Sequence, residues 1–209
     1  IKGKCALESG YQKETGQEIS KEFEMAAVHP ANRESIRIEA VKHGDYEFSV
    51  LRFTATEALS QPFAISIDVV SEDPAIKLQE LVGKPYCVTL TDEDENVERY
   101  FHGISHGAGY LRYGDKYTTY QIKLIPSIGL LAWRRNSRIF QNKTVPDIIR
   151  QVLEQAGINS NYYRFVLQAS YSARDYCVQF NETDLDFIHR LMAEAGVYYY
   201  FEHYAEKHT

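Results

Sequence analysis

The chain has 209 residues, a formal net charge of −6 and a pI of about 5.7. This acidic balance argues against nucleic acid or an anionic membrane surface as its main partner. No apolar run is long enough to span a bilayer, and no N-terminal stretch has the charged and apolar regions of a signal peptide. We therefore expect no nucleic-acid partner, no stable membrane insertion and no signal peptide.

The composition favours a β-rich protein. Aromatic residues make up 13% of the sequence and include sixteen Tyr against one Trp, which is typical of half-buried sheet surfaces. The cysteines Cys5, Cys87 and Cys177 are far apart and form no C-x-x-C pair, which indicates reduced thiols rather than a disulfide framework. We predict an α+β fold, with a mainly antiparallel β-barrel followed by an α+β subdomain with two capped helices.

Residues 1–32 are expected to be an N-terminal extension of unknown state. They carry Gly, Lys, Glu and Ser with scattered apolar residues. Within them, the stretch KETGQEISKEFEMAA places Ile19, Phe23 and Ala26 on one helical face, which predicts a short helix.

Residues 33–130 are expected to form the barrel, because apolar and polar residues alternate there with a period of two. The predicted strands are IRI from residue 36, YEFSVLRFTATE, FAISIDVV, and residues 86–91, 98–105, 110–113 and 117–124. Short antiparallel strands at this spacing predict a barrel or a sandwich. Gly103, Gly107 and Gly109 do not match G-x-G-x-x-G before a helix, so they predict a flexible loop rather than a phosphate site.

Residues 131–209 are expected to form the α+β subdomain, in which two helices have the same boundary signals. In the first helix, Thr144 is the predicted N-cap, Asp147 the capping-box acid and Gly157 the left-handed residue after the last turn. Its apolar positions fall on one wide face of the helix.

The second helix has Thr183 as the predicted N-cap, Asp186 as the capping-box acid and Gly196 as the terminator. Leu191 belongs to its predicted apolar face, together with Leu185, Ile188, Met192 and Ala195. A strand is predicted before it, where Tyr176, Val178 and Phe180 alternate with Cys177 and Gln179, and another over residues 197–201. The expected roles of these residues are structural.

Two patterns suggest metal sites, and both are weak. Asp92, Asp94 and Asn96 have the spacing of a calcium loop, but the glycine and the distal glutamate that such a loop needs are absent, so a solvated turn is favoured. His102 and His106 have the helical spacing of zinc ligands, yet their surroundings predict strand and loop. We predict no metal site and no cofactor.

Catalytic patterns are equally sparse. Cys177 and a histidine such as His189 are conceivable partners, although a strand cysteine is usually a small buried hydrophobic residue. Glu182, Asp184 and Asp186 are expected to favour the helix N-terminus rather than act as acids or bases. The basic cluster at Arg134, Arg135 and Arg138 is expected to meet an acidic protein surface.

Several stretches resemble a known family. They are RDYCVQFNETDLDFIHRLMAEAGVYYYFEH, SRIFQNKTVPDIIRQVLEQAGI, VLRFTATEALSQPFAISIDVVSEDP and the L-x-x-L-x-G-x-P pattern from residue 78. Together they look like the hub portion of the VgrG proteins, the spikes of the bacterial type VI secretion system, which are related to late-control and baseplate hub proteins of contractile phage tails. The match runs from about residue 50 to the last residue.

The resemblance implies a mechanical, non-enzymatic role. It implies a homotrimer that binds the end of a hexameric Hcp-like tube and associates with baseplate and effector proteins. It also implies assembly in the cytoplasm and then translocation by type VI secretion.

The chain stops at EHYAEKHT, where family members continue into a second barrel, an OB-like neck and a needle. We therefore expect this chain to be a monomer or a weak oligomer by itself. Two other functions stay open at this point: a hydrolase using Asp or Glu, or Cys177 with a histidine, and a binding module that presents tyrosines to a ligand.

Overall fold

The computed structural model describes residues 46, 48–73, 75–91, 97–114 and 116–209, except for the side chain of residue 98, and the backbone of three earlier strands. The possible calcium loop at residues 92–96 lies outside the described residues, as does most of the N-terminal extension. The helix predicted over residues 13–27 is wrong at Phe23–Glu24, where the backbone forms a strand.

The strands are β1 (Lys2–Lys4), β2 (Phe23–Glu24), β3 (Ile36–Ala40), β4 (Ser49–Ala58), β5 (Gln61–Ser71), β6 (Pro85–Thr91), β7 (Val97–Tyr113), β8 (Thr118–Ile125), β9 (Arg135–Phe140), β10 (Arg164–Val166) and β11 (Cys177–Thr183). The α-helices are α1 (Leu78–Leu81), α2 (Val145–Gln155) and α3 (Asp184–Glu194). Short 3-10 helices cover Ser127–Trp133 and Ser160–Tyr162.

Seven strands form one antiparallel sheet in the order β2-β4-β5-β8-β7-β6-β3. The sheet curves into a half-barrel. Burial alternates most clearly in β5, where Phe63, Ile65, Ile67 and Val69 are buried while their neighbours are more exposed. Each fully buried side chain of this kind stabilises the fold by roughly 1.5–3 kcal/mol. The predicted α+β fold with a mainly antiparallel sheet is confirmed.

The largest difference from the sequence prediction is in β7. Two strands and a flexible glycine loop were predicted, but β7 is one continuous strand of 17 residues that includes Gly103, Gly107 and Gly109. Its first part pairs with β6 and its second part with β8, with an irregular register between Ser105 and Gly107. Gly107 therefore lies at a bulge, and Gly103 allows a close approach of neighbouring side chains, which are the usual reasons for glycine in a strand.

A second core is formed by α2, α3, the antiparallel pair β9 and β11, and the 3-10 helix Ser127–Trp133. Phe140 of β9 and Phe187 of α3 stack there, with ring centroids 5.6 Å apart. Phe187 is fully buried, although it was not part of the predicted apolar face of the helix.

The strand predicted over residues 197–201 is wrong. Val197 N–H bonds to Met192 O and closes the end of α3, and Tyr199 O accepts a bond of 2.8 Å from Ser60 N–H in the turn between β4 and β5. The aromatic run therefore crosses from the second core to the half-barrel without a ladder partner. Phe201 contacts both cores.

Candidate assembly site

The predicted cap residues of α2 lie at its two ends. Thr144 Oγ1 accepts a bond of 3.3 Å from Asp147 N–H and donates one of 2.6 Å to the Asp147 carboxylate. The bond from the Thr144 hydroxyl is the main reason that the pKa of Asp147 is lower than its ordinary value. Gly157 follows the last turn with φ of 78°, a left-handed conformation that costs glycine little.

The corresponding residues of α3 have the same arrangement. Thr183 Oγ1 accepts a bond of 3.0 Å from Asp186 N–H and donates one of 2.6 Å to its carboxylate. Gly196 has φ of 65° after the last turn. Leu191 has no exposed surface and lies in the second core.

Asp184 is the centre of a buried polar network that the sequence interpretation missed. Its carboxylate accepts bonds of 2.9 Å from Gln179 Nε2 and Asn136 Nδ2 and of 3.2 Å from Arg134 Nε, and it also pairs with Arg138. Burial by itself would raise the pKa of Asp184, but the bonds from Gln179, Asn136 and Arg134 outweigh it and hold that pKa below its ordinary value. The network ties α3 to β9 and β11.

This network corrects two predictions. The cluster at Arg134, Arg135 and Arg138 was expected to face an acidic partner, but two of its members bind Asp184 of the same chain, and Arg135 donates to Asn181 O. The acids before and within α3 were expected to share one role. Glu182 instead lies in β11 and pairs with Arg190 at 2.6 Å.

The pair β9 and β11 has an exposed apolar outer face. Ile139 and Val178 are directly opposite each other and are 59% and 43% exposed, while Phe180, two positions further along β11, is 79% exposed. Tyr176, just before β11, is also exposed. We call these four residues the outer face. Adjacent apolar side chains of this size on a surface are typical of a protein interface.

The period of β11 predicted a strand but not its orientation. The strand buries Cys177 and Gln179, and it exposes the apolar set that alternates with them. Gln179 points inward because its amide donates to Asp184 and accepts from Arg138. A polar residue on the buried side of a strand is found only where such partners exist.

The catalytic and metal alternatives gain no support from the geometry. The bond of His189 goes to Tyr199 OH at 2.8 Å rather than to Cys177, which is buried in the second core. His102 is buried while His106 is exposed against Trp133, because the bulge between them changes the side of the strand that each occupies. Within the described residues, no three His, Cys, Asp or Glu side chains are arranged to hold a metal ion.

The helices that the structure describes are too short or too polar to cross a membrane.

The architecture is thus a curved antiparallel sheet joined to a compact α+β core on which the apolar outer face is exposed. Residues 56–209 match the family model for the phage tail baseplate hub (GPD), so the chain belongs to that family. This confirms the resemblance found in the sequence.

Related proteins include the type VI secretion system spike protein VgrG4b of Pseudomonas aeruginosa, which is 37% identical over 182 residues, covering 86% of this chain and 22% of that protein. VgrG1b of the same bacterium is 39% identical over 161 residues, covering 75% of this chain and 21% of that protein. The actin cross-linking toxin VgrG1 of Vibrio cholerae is 35% identical over 184 residues, covering 84% of this chain and 16% of that protein. The chain thus spans about a fifth of the length of these relatives.

Among solved structures, the E. coli c3393 protein is similar with a TM-score of 0.77 and 29% identity, covering 83% of this chain and 47% of that one. It is described as a component of the type VI secretion system with structural similarity to the T4 tail proteins gp27 and gp5. A 43 kDa prophage tail protein from Shewanella oneidensis has the same fold, with a TM-score of 0.55, 14% identity and coverage of 83% and 52%.

Proposed function

We propose that this chain is a hub portion of a type VI secretion spike and that its role is mechanical. The observation that carries the proposal is the 37% identity to VgrG4b over 86% of the chain. The similarity of the fold to c3393 supports it. Within such a hub, residues 33–130 form the barrel unit and residues 131–209 the α+β unit, and the presence of two separate hydrophobic cores supports this division.

The proposed assembly is a homotrimer whose hub binds the end of a hexameric Hcp-like tube and associates with baseplate and effector proteins. The outer face is the surface that we assign to the neighbouring chain of the trimer. The outer face lies on strands that the Asp184 network holds against α3. The network therefore anchors this face to the second core. Assembly in the cytoplasm and release by type VI secretion follow from the same role.

We further propose that the chain is not an enzyme. Its buried acid Asp184 is fully engaged in ion pairs, and the acids at the two helix N-termini bond with cap hydroxyls. The toxin activity in the name of the Vibrio cholerae relative belongs to that protein, of which this chain matches 16%.

A chimaera tests the proposal. This chain replaces the matching region of VgrG4b, and the molar mass of the purified product is measured by light scattering beside that of unmodified VgrG4b. We expect three chains in both. A chimaera that is folded but monomeric, while the unmodified spike is trimeric, would contradict the proposal.

A further inference from the structure

The last eight residues fold back on themselves and lie against the half-barrel. Glu202 and Thr209 exchange two backbone hydrogen bonds of 2.9 Å, and Tyr204 N–H bonds to Lys207 O at 2.8 Å. We call residues 202–209 the clasp. Residues 195–201 connect the end of α3 to the clasp.

One histidine of the clasp binds two strands of the half-barrel. His203 Nδ1 lies 3.0 Å from the backbone N–H of His102 in β7, and His203 Nε2 lies 3.0 Å from Glu57 Oε1 in β4. Its ring also packs on Phe63 and Phe101, with centroids 4.7 Å and 5.6 Å away.

The second histidine of the clasp, His208, is fully buried. Its Nε2 accepts a bond of 2.9 Å from Ser127 N–H, and its Nδ1 lies 3.1 Å from His102 Nδ1. Because Nε2 is an acceptor, the proton of neutral His208 is on Nδ1 and is donated to His102 Nδ1. The proton of His102 is then on Nε2, which is buried and has no hydrogen-bond partner.

This arrangement disfavours another proton. A proton on His208 Nε2 could point to Ser127 Oγ, 3.1 Å away, but it would displace the bond from Ser127 N–H. A proton on His102 Nδ1 would face the N–H of His208. Either event breaks a hydrogen bond and leaves a charge in an apolar site, which disfavours the closed clasp. Both rings are therefore held as neutral imidazoles only while the clasp is closed.

We propose that the clasp is an acid-operated latch, which holds the C-terminal segment on the half-barrel at neutral pH and releases it in mildly acidic solution. Release uncovers the rings of Phe63 and Phe101 and frees the connection between the two cores. The inference concerns this chain alone and does not depend on the proposed function.

The neighbouring charged groups do not drive this release. Glu57 is partly buried, but its bonds to His203 and Arg99 keep its pKa below the ordinary value, so it stays ionised in mild acid. Lys207 Nζ is directed to Asn161 O, and the Glu202 carboxylate accepts from the Tyr204 hydroxyl. We therefore assign the release to His102 and His208, the rings whose shared contact has no room for two protons between their Nδ1 atoms.

Burial, with the nearby His203, lowers the pKa of His102 from 6.5 to about 4, and burial also lowers the pKa of His208. When the clasp is open, these two histidines bind protons near pH 6.5, and when it is closed they do not. A fall in pH therefore favours the open clasp. Between pH 7 and pH 5, His102 alone raises the ratio of open to closed clasp by roughly 20-fold.

The test is backbone NMR of residues 203–209 and of α3 at pH 7.5 and pH 5. We expect the amides of the clasp to be ordered at pH 7.5 and mobile at pH 5, while those of α3 stay ordered. Clasp amides that are mobile already at pH 7.5, that stay ordered at pH 5, or that lose order together with α3 would overturn the proposal.

Variants identify the responsible rings. The double variant His102→Gln with His208→Gln has no titrating ring at either position, so we expect its clasp to stay ordered at pH 5. His102→Gln alone keeps His208, so we expect its clasp to open less at pH 5 than that of the unmodified chain. His106→Gln, on the exposed side of the same strand, is the control and should respond as the unmodified chain does. If the double variant fails to fold, His102→Gln alone decides. A clasp of His102→Gln that opens at pH 5 to the same extent as that of the unmodified chain would contradict the latch.

Discussion

Arg134 and Asp184 are 50 positions apart in the chain, yet Arg134 Nε lies 3.2 Å from Asp184 Oδ2, and Asp184 has no exposed surface. Replacing Asp184 with Asn leaves Arg134 and Arg138 without their counter-charge. We expect the free energy of unfolding to fall by roughly 3 kcal/mol, the lower end for a broken buried pair, because Arg134 is 42% exposed. Urea denaturation measures this loss, with the exposed Asp175→Asn as the control.

The same variant has a defined pH dependence. Since the pKa of Asp184 is lowered by folding, its stabilising contribution is present above its unfolded pKa of about 3.9 and is lost as the pH falls through and below that value. The difference in unfolding free energy between the unmodified chain and Asp184→Asn should therefore shrink between pH 7 and pH 3. The clasp is present in both proteins and does not enter the difference. A difference in unfolding free energy that stays constant or becomes larger at pH 3 would show that Asp184 is not held ionised.

Helix α3 is expected to depend on its buried face far more than on its cap. Leu191→Asp puts an unpaired charge in the second core and should unfold it, whereas Thr183→Ala should cost only about 0.5–2 kcal/mol. Ala193→Asp, at an exposed position of the same helix, is the matched control. Thermal melts followed by circular dichroism separate these cases. Equal melting temperatures for the two aspartate variants would mean that Leu191 is not in the core.

Two glycines of β7 should respond differently to the same substitution. A Cβ at Gly103 would lie 2.9 Å from Leu124 Cβ and 3.2 Å from the Phe63 ring, while a Cβ at Gly107 would have no atom within 4 Å. We expect Gly103→Ala to lower the unfolding free energy by about 1–3 kcal/mol through overpacking. Gly107→Ala should leave it unchanged or raise it by up to about 1 kcal/mol. Denaturant titration of both variants is the measurement, and equal effects would contradict the close packing at Gly103.

The isolated chain is expected to be a monomer or a weak, concentration-dependent oligomer at micromolar concentration. Association should depend on the outer face, so Phe180→Ser should weaken it, while Leu59→Ser, at another exposed apolar residue, should not. Sedimentation or light scattering over a dilution series makes the comparison. A stable trimer mass, unchanged by tenfold dilution, would show that another surface drives assembly.

Local patterns predicted much of the fold because their causes are local. Thr144, Thr183 and the glycines at 157 and 196 satisfy groups within a few residues of themselves, so spacing is enough to find them. The partners of Asp184 and His208 come from distant segments that only the tertiary fold brings together. The alternation in β11 could not show which side is buried, because Gln179 faces inward only when Asp184 is already there.

The same limit explains the errors in β7 and after α3. Glycines usually indicate a turn, and nothing near Gly103 in the sequence reveals that Phe63 and Leu124 press against it. Residues 197–201 have strong strand propensity, but a strand needs a ladder partner, and Tyr199 meets the half-barrel through a single backbone bond.

The most direct test of the central claim is a hub exchange in living cells. In Pseudomonas aeruginosa, the matching region of VgrG4b is replaced by this chain, and the tube protein released into the medium is measured beside the amount of chimaera inside the cells. A chimaera carrying Leu191→Asp serves as the unfolded control. We predict release comparable to that with unmodified VgrG4b, and none with the control. A chimaera that accumulates normally in the cells but releases no tube protein would contradict the account.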